Sequence, residues 1–316
     1  MINSSFFLQV ILLVVGFILL IKGADYFVEG ASKIADRFHI PQLVIGLTIV
    51  AFGTSAPEAA ISITSVAKGN AGISIGNVIG SNIFNVLIIL GITACIIPLK
   101  IQESTLKFEL PYMIFVTIIL GLLGYWDGEL TLRDGVILWI LFFIFFAYLI
   151  VLAKKGGGDA EEIHSDNKES LFKIIIVTIL GMVAIIWGSD LTVDNATLIA
   201  KTLKMSDRLI GLTIIAFGTS LPELITSITA ARKGKSDIAI GNIIGSNLFN
   251  ILFVTGTAAL IGTIPFVATF GIDLLVALAA AIFLFFCVVK DRTIRRAGGI
   301  TMLVGYAVYF VFLLLR

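Results

Sequence analysis

Long apolar runs separated by short polar breaks set the pattern of this chain from end to end. A helix needs about 20 apolar residues to cross the hydrocarbon of a bilayer. Runs of that length predict spans at residues 6–28, 42–67, 71–97, 109–125 and 132–153, and again at 171–192, 207–231, 237–262, 268–289 and 297–315. The expectation is an all-α membrane protein with ten transmembrane helices, five in residues 1–153 and five in residues 171–316. Between the halves, residues 154–170 read KKGGGDAEEIHSDNKES, a Gly-rich and charged stretch that fits a hydrophilic cytoplasmic linker.

The two halves share a sentence. AFGTSAPE (Ala51–Glu58) returns as AFGTSLPE (Ala216–Glu223), and IGNVIGSNIFN (Ile75–Asn85) returns as IGNIIGSNLFN (Ile240–Asn250). The offset is 165 positions throughout, and 29 of the 48 positions from Val44 to Gly91 match their partners. Five spans is an odd number, so the second half enters the membrane from the opposite side. The halves are then inverted repeats about a pseudo-two-fold axis in the membrane plane, and their motifs face each other near the midplane. With the N-terminus outside, the inner loops carry 15 Lys and Arg and the outer loops 6. That bias predicts a cell-membrane protein with both termini outside.

Composition sharpens this picture by exclusion. The chain is 58% hydrophobic and only 14% charged, with a net charge of +1. Soluble domains average about 25% charged residues. No basic patch with interleaved aromatics suggests nucleic acid. Cys95 and Cys287 both sit in apolar runs and imply neither a disulfide framework nor a metal site. The start, MINSS before a long apolar run, lacks a basic n-region and reads as the first span rather than a signal peptide.

The candidate chemistry lies in the repeated motifs. Glu58 and Glu223 are read as the only acids deep inside predicted spans. A charge there costs about 2.5–3.5 kcal/mol by insertion scales, so an intramembrane acid is functional by default. Two that face each other call for a cation between them. Thr54 and Glu58 are four apart and share a helix face with Ser55 alongside, as do Thr219, Ser220 and Glu223; Ser81 with Asn85 and Ser246 with Asn250 repeat the spacing. Carboxylate, amide and hydroxyl oxygens suit a hard cation such as calcium, and the absence of sulfur or imidazole argues against zinc, copper and nickel. Pro57 and Pro222 predict kinks that free carbonyls near Ala51 and Ala216, which persist in a membrane only where they line a cavity or meet an ion. Asn77, Asn82, Asn242 and Asn247 are expected to bond between helices. Ser62 and Ser227 are expected to pack. Asp25 and Asp190 are expected at helix ends, and His39 and His164 in solvated loops.

These paired GTSAPE/GTSLPE and GNxIGSNxFN segments resemble the two α-repeats of the cation/calcium antiporter superfamily, in particular its prokaryotic sodium/calcium exchanger branch. The resemblance covers the whole chain. It implies a core of the second, third, seventh and eighth helices, crossed by long, tilted, mobile first and sixth helices. It also implies that Glu58 and Glu223 are the central calcium ligands, with oxygens from Thr54 and Thr219. Sodium would use Ser55, Ser81, Asn85, Ser220, Ser246, Asn250 and the carbonyls of Ala51 and Ala216. Asn250 stands where relatives that look potassium-dependent carry Asp, which weakens potassium cotransport and leaves two carboxylates in the site.

The resulting expectation is a secondary antiporter, not an enzyme, that exchanges sodium for calcium by alternating access. It would need no cofactor; its partners are the two ions and the bilayer. Two carboxylates carry about −2, which one calcium or two sodium ions neutralise; a third sodium makes the cycle electrogenic and drives calcium extrusion, each net charge being worth about 2.3 kcal/mol per 100 mV. The alternative is a calcium/proton antiporter using the same two glutamates. A channel fits inverted repeats around one ligand cluster less well, and no His or Lys base lies in the spans to support a hydrolase.

Overall fold

The computed structural model describes residues 4–156, 169–204 and 216–315. In chain order the helices are α1 (Ser4–Phe38), α2 (Gln42–Thr54), α3 (Ala56–Ala67), α4 (Ala71–Ile96), α5 (Thr105–Asp127) and α6 (Leu132–Gly156). They continue with α7 (Leu171–Thr202), α8 (Leu221–Arg232), α9 (Ser236–Ile261), α10 (Ala268–Val288) and α11 (Arg296–Leu315). A short turn, Ala216–Gly218, precedes α8. Among the described residues, eight helices are long and apolar enough to cross a membrane, and α2 with α3, bent by 52°, makes a ninth span. Of the expected span 207–231, residues 207–215 lie outside the described residues; so do His164 and most of the 154–170 linker, whose first residues continue α6.

Helices α1 and α7 run about ten residues past their expected ends at 28 and 192. Hydropathy sets Asp25 at the end of the first span and Glu29 and Lys33 beyond it. They lie instead on one face of a continuing helix whose other face buries Phe27, Val28, Ala31 and Ala35. Glu29 and Lys33 form an i,i+4 pair at 2.9 Å. Asp25 and Asp190 therefore sit inside helices, not at helix ends. The two long helices pack antiparallel along a glycine seam. A Cβ on Gly23 would lie 2.8 Å from the Gly181 carbonyl oxygen, and one on Gly188 would lie 2.7 Å from the Leu20 nitrogen. Glycine here lets two backbones touch, which is how helices associate where water supplies no hydrophobic drive.

At the centre α4 and α9 cross, and α9 is buried along almost its whole length. The halves interlock around them: α10 and α11 of the second half pack on α4, while α6 of the first packs on α9. Four two-residue strands depart from the all-α expectation. β1 (Leu99–Lys100) pairs antiparallel with β4 (Thr293–Ile294), and β2 (Glu129–Leu130) pairs with β3 (Ile264–Pro265). Each ladder ties a loop of one half to a loop of the other. The β1–β4 ladder shares its end of the bundle with Arg292–Glu103 (3.2 Å) and Gln102–Asp237 (2.7 Å). The pairs Lys33–Glu169 (3.1 Å) and Lys233–Asp25 (3.4 Å) tie the C-terminal half of α1 to Glu169, just before α7, and to Lys233, just after α8.

The register of the halves slips once. Leu99 to Leu130 is one residue longer than Ile264 to Ile294, the matching stretch between ladders. A π-helical turn at Thr105–Glu109, which α10 lacks, takes up such a residue.

Candidate functional site

The site is built where a helix breaks in each half. α2 stops at Thr54 and α3 starts at Ala56, with Pro57 in its first turn; α8 starts at Leu221 with Pro222 in the same place. Proline is at home there, because first-turn N–H groups have no intrahelical partner to lose. Each proline thus begins a new helix. The expected consequence at Ala51 does not follow: its carbonyl still accepts the Ser55 N–H at 3.0 Å and the Thr54 hydroxyl at 3.4 Å. The residue four before Pro57 is Gly53, so the break spares the Ala51 bond. Ala216 opens the short turn Ala216–Gly218.

Glu58 and Glu223 each fall in the first turn of their helix, where the positive end of the helix dipole favours a carboxylate. Both are 1% exposed. Each is held by the serine of the opposite half: Ser55 donates to Glu223 Oε1 at 2.8 Å, and Ser220 donates to Glu58 Oε1 at 3.3 Å. The second oxygen of each carboxylate has no hydrogen-bond partner. No ion pair reaches either glutamate among the described residues.

Four asparagines clasp α4 to α9. Asn82 Nδ2 donates to the Asn247 carbonyl at 3.2 Å and Asn247 Nδ2 to the Asn82 carbonyl at 3.3 Å. Backbone carbonyls only accept, so these contacts fix which way both amides point. The side-chain oxygens of Asn247 and Asn82 must then accept, from Asn85 Nδ2 at 2.9 Å and from Asn250 Nδ2 at 3.2 Å. Asn85 and Asn250 are thereby turned so that Oδ1 of each is buried and unpartnered, as is Ser246 Oγ. Five oxygens of the motif residues therefore stand desolvated without a donor. Such groups cost about 1–3 kcal/mol each unless something meets them, and a cation is what meets five oxygens. Among the described residues no cluster of three or more acidic, imidazole or thiol groups exists, so two carboxylates with neutral oxygens are the whole charged set.

A second layer ties the glutamate helices in place. Asn77 Nδ2 donates to Ser62 Oγ at 2.9 Å and to the Glu58 carbonyl at 3.3 Å; Asn242 repeats this with Ser227 and Glu223 at the same distances. The serines expected to pack are thus acceptors. Their signal in the sequence is a Ser-to-Asn separation of 15 that recurs in both halves. Close contact of Gly245 with Leu47 lets α9 press against α2. Ser81, like Ala51, Thr54 and Ser55, is buried, whereas Thr219 is half-buried. Two more acids are fully buried, each at the edge of an expected span: Asp134 and Glu109. Asp134 caps its own helix, accepting the Thr131 N–H and O–H at 2.8 Å. Glu109 accepts the Tyr148 hydroxyl.

The sodium/calcium exchanger protein family model matches residues 8–151 and 173–315. The chain belongs to this family. The putative antiporter CaxA of Alkalimonas amylolytica is 40% identical over 310 residues, covering 95% of this chain and 96% of its own. The sodium/calcium exchanger MaX1 of Methanosarcina acetivorans is 31% identical over 347 aligned positions, covering 96% and 97%. Among solved structures, the sodium-calcium exchanger NCX_Mj soaked with 10 mM Na+ and zero Ca2+ superposes with a TM-score of 0.85 at 34% identity, over 97% of this chain and 99% of that one. This exchanger is an integral membrane protein of a transporter family, and its helical fold is that of NCX_Mj.

Proposed function

We propose that the chain exchanges sodium for calcium across the cell membrane by alternating access, as two inverted five-helix repeats (1–153 and 171–316) joined by a cytoplasmic linker (154–170), with both termini outside. One observation carries the reading: two buried glutamates from opposite halves, each with one oxygen held by the other half's serine and one oxygen free, beside the free oxygens of Asn85, Asn250 and Ser246. Calcium takes six to eight oxygens and bridges two carboxylates. Sodium ions discharge the same carboxylates one at a time and fit the neutral oxygens. An empty site holds two uncompensated charges in low dielectric, which resists passage between states and enforces exchange. The relation to MaX1 supports this choice of ions.

Purified protein in liposomes tests it. Calcium uptake driven by an outward sodium gradient, indifferent to a pH gradient and sensitive to membrane potential, is the expected result. Uptake driven by a pH gradient without sodium replaces this reading with calcium/proton antiport through the same glutamates.

A further inference from the structure

Two turns of the molecule are built alike and bonded differently. Lys233 closes α8 and Lys68 closes α3, 165 positions apart, and each is followed by a left-handed glycine, Gly234 at φ 73° and Gly69 at φ 79°. The acids match as well: Asp25 and Glu29 of α1 return at the same offset as Asp190 and Asp194 of α7. Members of each acid pair are four apart and share a helix face. Only one set is joined. Lys233 Nζ donates to the Asp25 backbone carbonyl at 2.8 Å and lies 3.4 Å from the Asp25 carboxylate and 3.8 Å from that of Glu29. No ion pair joins Lys68 to Asp190 or Asp194, although all three are described and exposed.

The helices behind these residues differ in the same sense. α8 packs along α1, whereas its counterpart α3 has no comparable contact with α7. α1 and α7 themselves pack chiefly on each other, through the glycine seam. The two turns also lie at opposite ends of the bundle. The Lys68 turn precedes α4, whose 26 residues span about 39 Å and lead to β1. The Lys233 turn stands at the β1 end, where Asp237, four residues on, accepts from Gln102. Matching turns cannot account for the difference; the placement of the α1–α7 pair against α3 and α8 does. A chain whose halves match in sequence but not in contact has a natural second arrangement, in which the halves trade contacts.

We propose that Lys233 and Lys68 are alternating latches of the exchange cycle. In the arrangement seen here Lys233 holds α1 through Asp25 and Glu29. In the opposite arrangement that bond opens, α3 closes on α7, and Lys68 takes Asp190 and Asp194. The proposal rests on the alternating-access reading above and adds which side chains hold each state. Exposed ion pairs suit the task, because each biases an equilibrium by no more than about five-fold and so can be broken in every cycle.

Cross-linking of full-length protein in liposomes reads these states without any ion being transported. In a background of Cys95→Ala and Cys287→Ala, thiols are placed as two pairs, Glu29→Cys with Lys233→Cys and Asp194→Cys with Lys68→Cys. A bis-methanethiosulfonate of short spacer bridges them, and intact mass gives the yield of each bridge. Both pairs are expected to bridge. Protein with all four thiols is expected to hold one bridge or the other, doubly bridged molecules falling at least ten-fold below the product of the single yields. Adding Lys233→Gln to the Asp194–Lys68 thiol pair should raise its yield at least two-fold, and adding Lys68→Gln to the other pair should do the same. No bridge between Asp194→Cys and Lys68→Cys, in protein shown folded by its Tm, overturns the second latch. Both bridges in one molecule overturn the alternation, and unchanged yields in both Gln variants overturn the role of charge. Wild-type sodium–calcium exchange is measured alongside: its absence together with mutually exclusive bridges refutes the choice of ions and upholds the latches.

Discussion

The first and second copies of the repeat are nearly indistinguishable at the glutamates and quite different a few turns away. At the centre, Ser55–Glu223 mirrors Ser220–Glu58, and the asparagine clasp mirrors itself. Already one shell out, Thr54 donates to Asn242 Oδ1 at 3.0 Å, whereas half-buried Thr219 makes no such bond to Asn77. Phe52 stacks on Phe249 at 4.5 Å and 29°, while its counterpart Phe217 meets Phe84 edge-on at 4.7 Å and 84°. At the ends of the long helices the copies part. Asp25 and Glu29 of α1 are bridged by Lys33 and Lys233. Asp190 and Asp194 of α7 occupy the matching places with no ion pair among the described residues, and Leu198 stands where α1 has Lys33. Symmetry is kept where the two buried carboxylates meet and relaxed toward the ends of the long helices.

Four sets of variants probe that contrast. The largest effect belongs to the centre. Glu58→Gln and Glu223→Gln should each lower sodium–calcium exchange in liposomes by about 100-fold or more, because a neutral amide cannot balance a divalent charge. Both should stay monodisperse by gel filtration, and a marked inequality between them would break the symmetry of the site. Next is the glycine seam. Gly23→Val and Gly188→Val force a side chain into opposing backbone and should each destabilise by about 1–3 kcal/mol, read as lowered Tm in detergent. Asn82→Leu and Asn247→Leu each strand a buried carbonyl and a partner amide. Each should cost about 1–2 kcal/mol, to the same extent in either half. The smallest effect is peripheral. Lys33→Leu copies α7 into α1 and should change stability by less than about 0.5 kcal/mol, since its partners are largely solvated. Leu198→Lys should add an i,i+4 pair with Asp194 worth about 0.3–0.5 kcal/mol. Tm measured across a choline chloride series should show both effects fading with salt; salt-independent shifts would mean packing, not charge.

The repeated motifs made the core of the site legible, because packing alone does not demand identical polar residues at identical spacing in an apolar chain. Spacing picked out Thr54, Ser55, Glu58, Ser220 and Glu223, but it set Thr54, Ser55 and Glu58 on one helix face; the break leaves Thr54 on α2 and Glu58 on α3, with Ser55 between them and Ser220 just before α8. What spacing could not give was orientation. That Asn85 and Asn250 show oxygen rather than N–H to the interior follows from Asn82 and Asn247 bonding backbone carbonyls across the crossing, a contact between halves. Hydropathy also misjudged lengths. It stopped α1 at residue 28, short of Glu29 and Lys33, although a helix face can carry Asp25, Glu29 and Lys33 while the opposite face stays in the core. It set Glu109 at a boundary, where a π-helical turn and Tyr148 bury it instead.

The two ladders bear on how such a molecule is made. β1 waits for β4 and β2 for β3, so each edge strand finds its partner only in the other half of the chain. Until Ile264–Pro265 and Thr293–Ile294 have been synthesised the first half carries open edges, and until Ser220 has been made Glu58 lacks the hydroxyl that steadies it. A gene cut within residues 157–168 should yield stable fragments only when both are produced together, and degraded ones when either is produced alone.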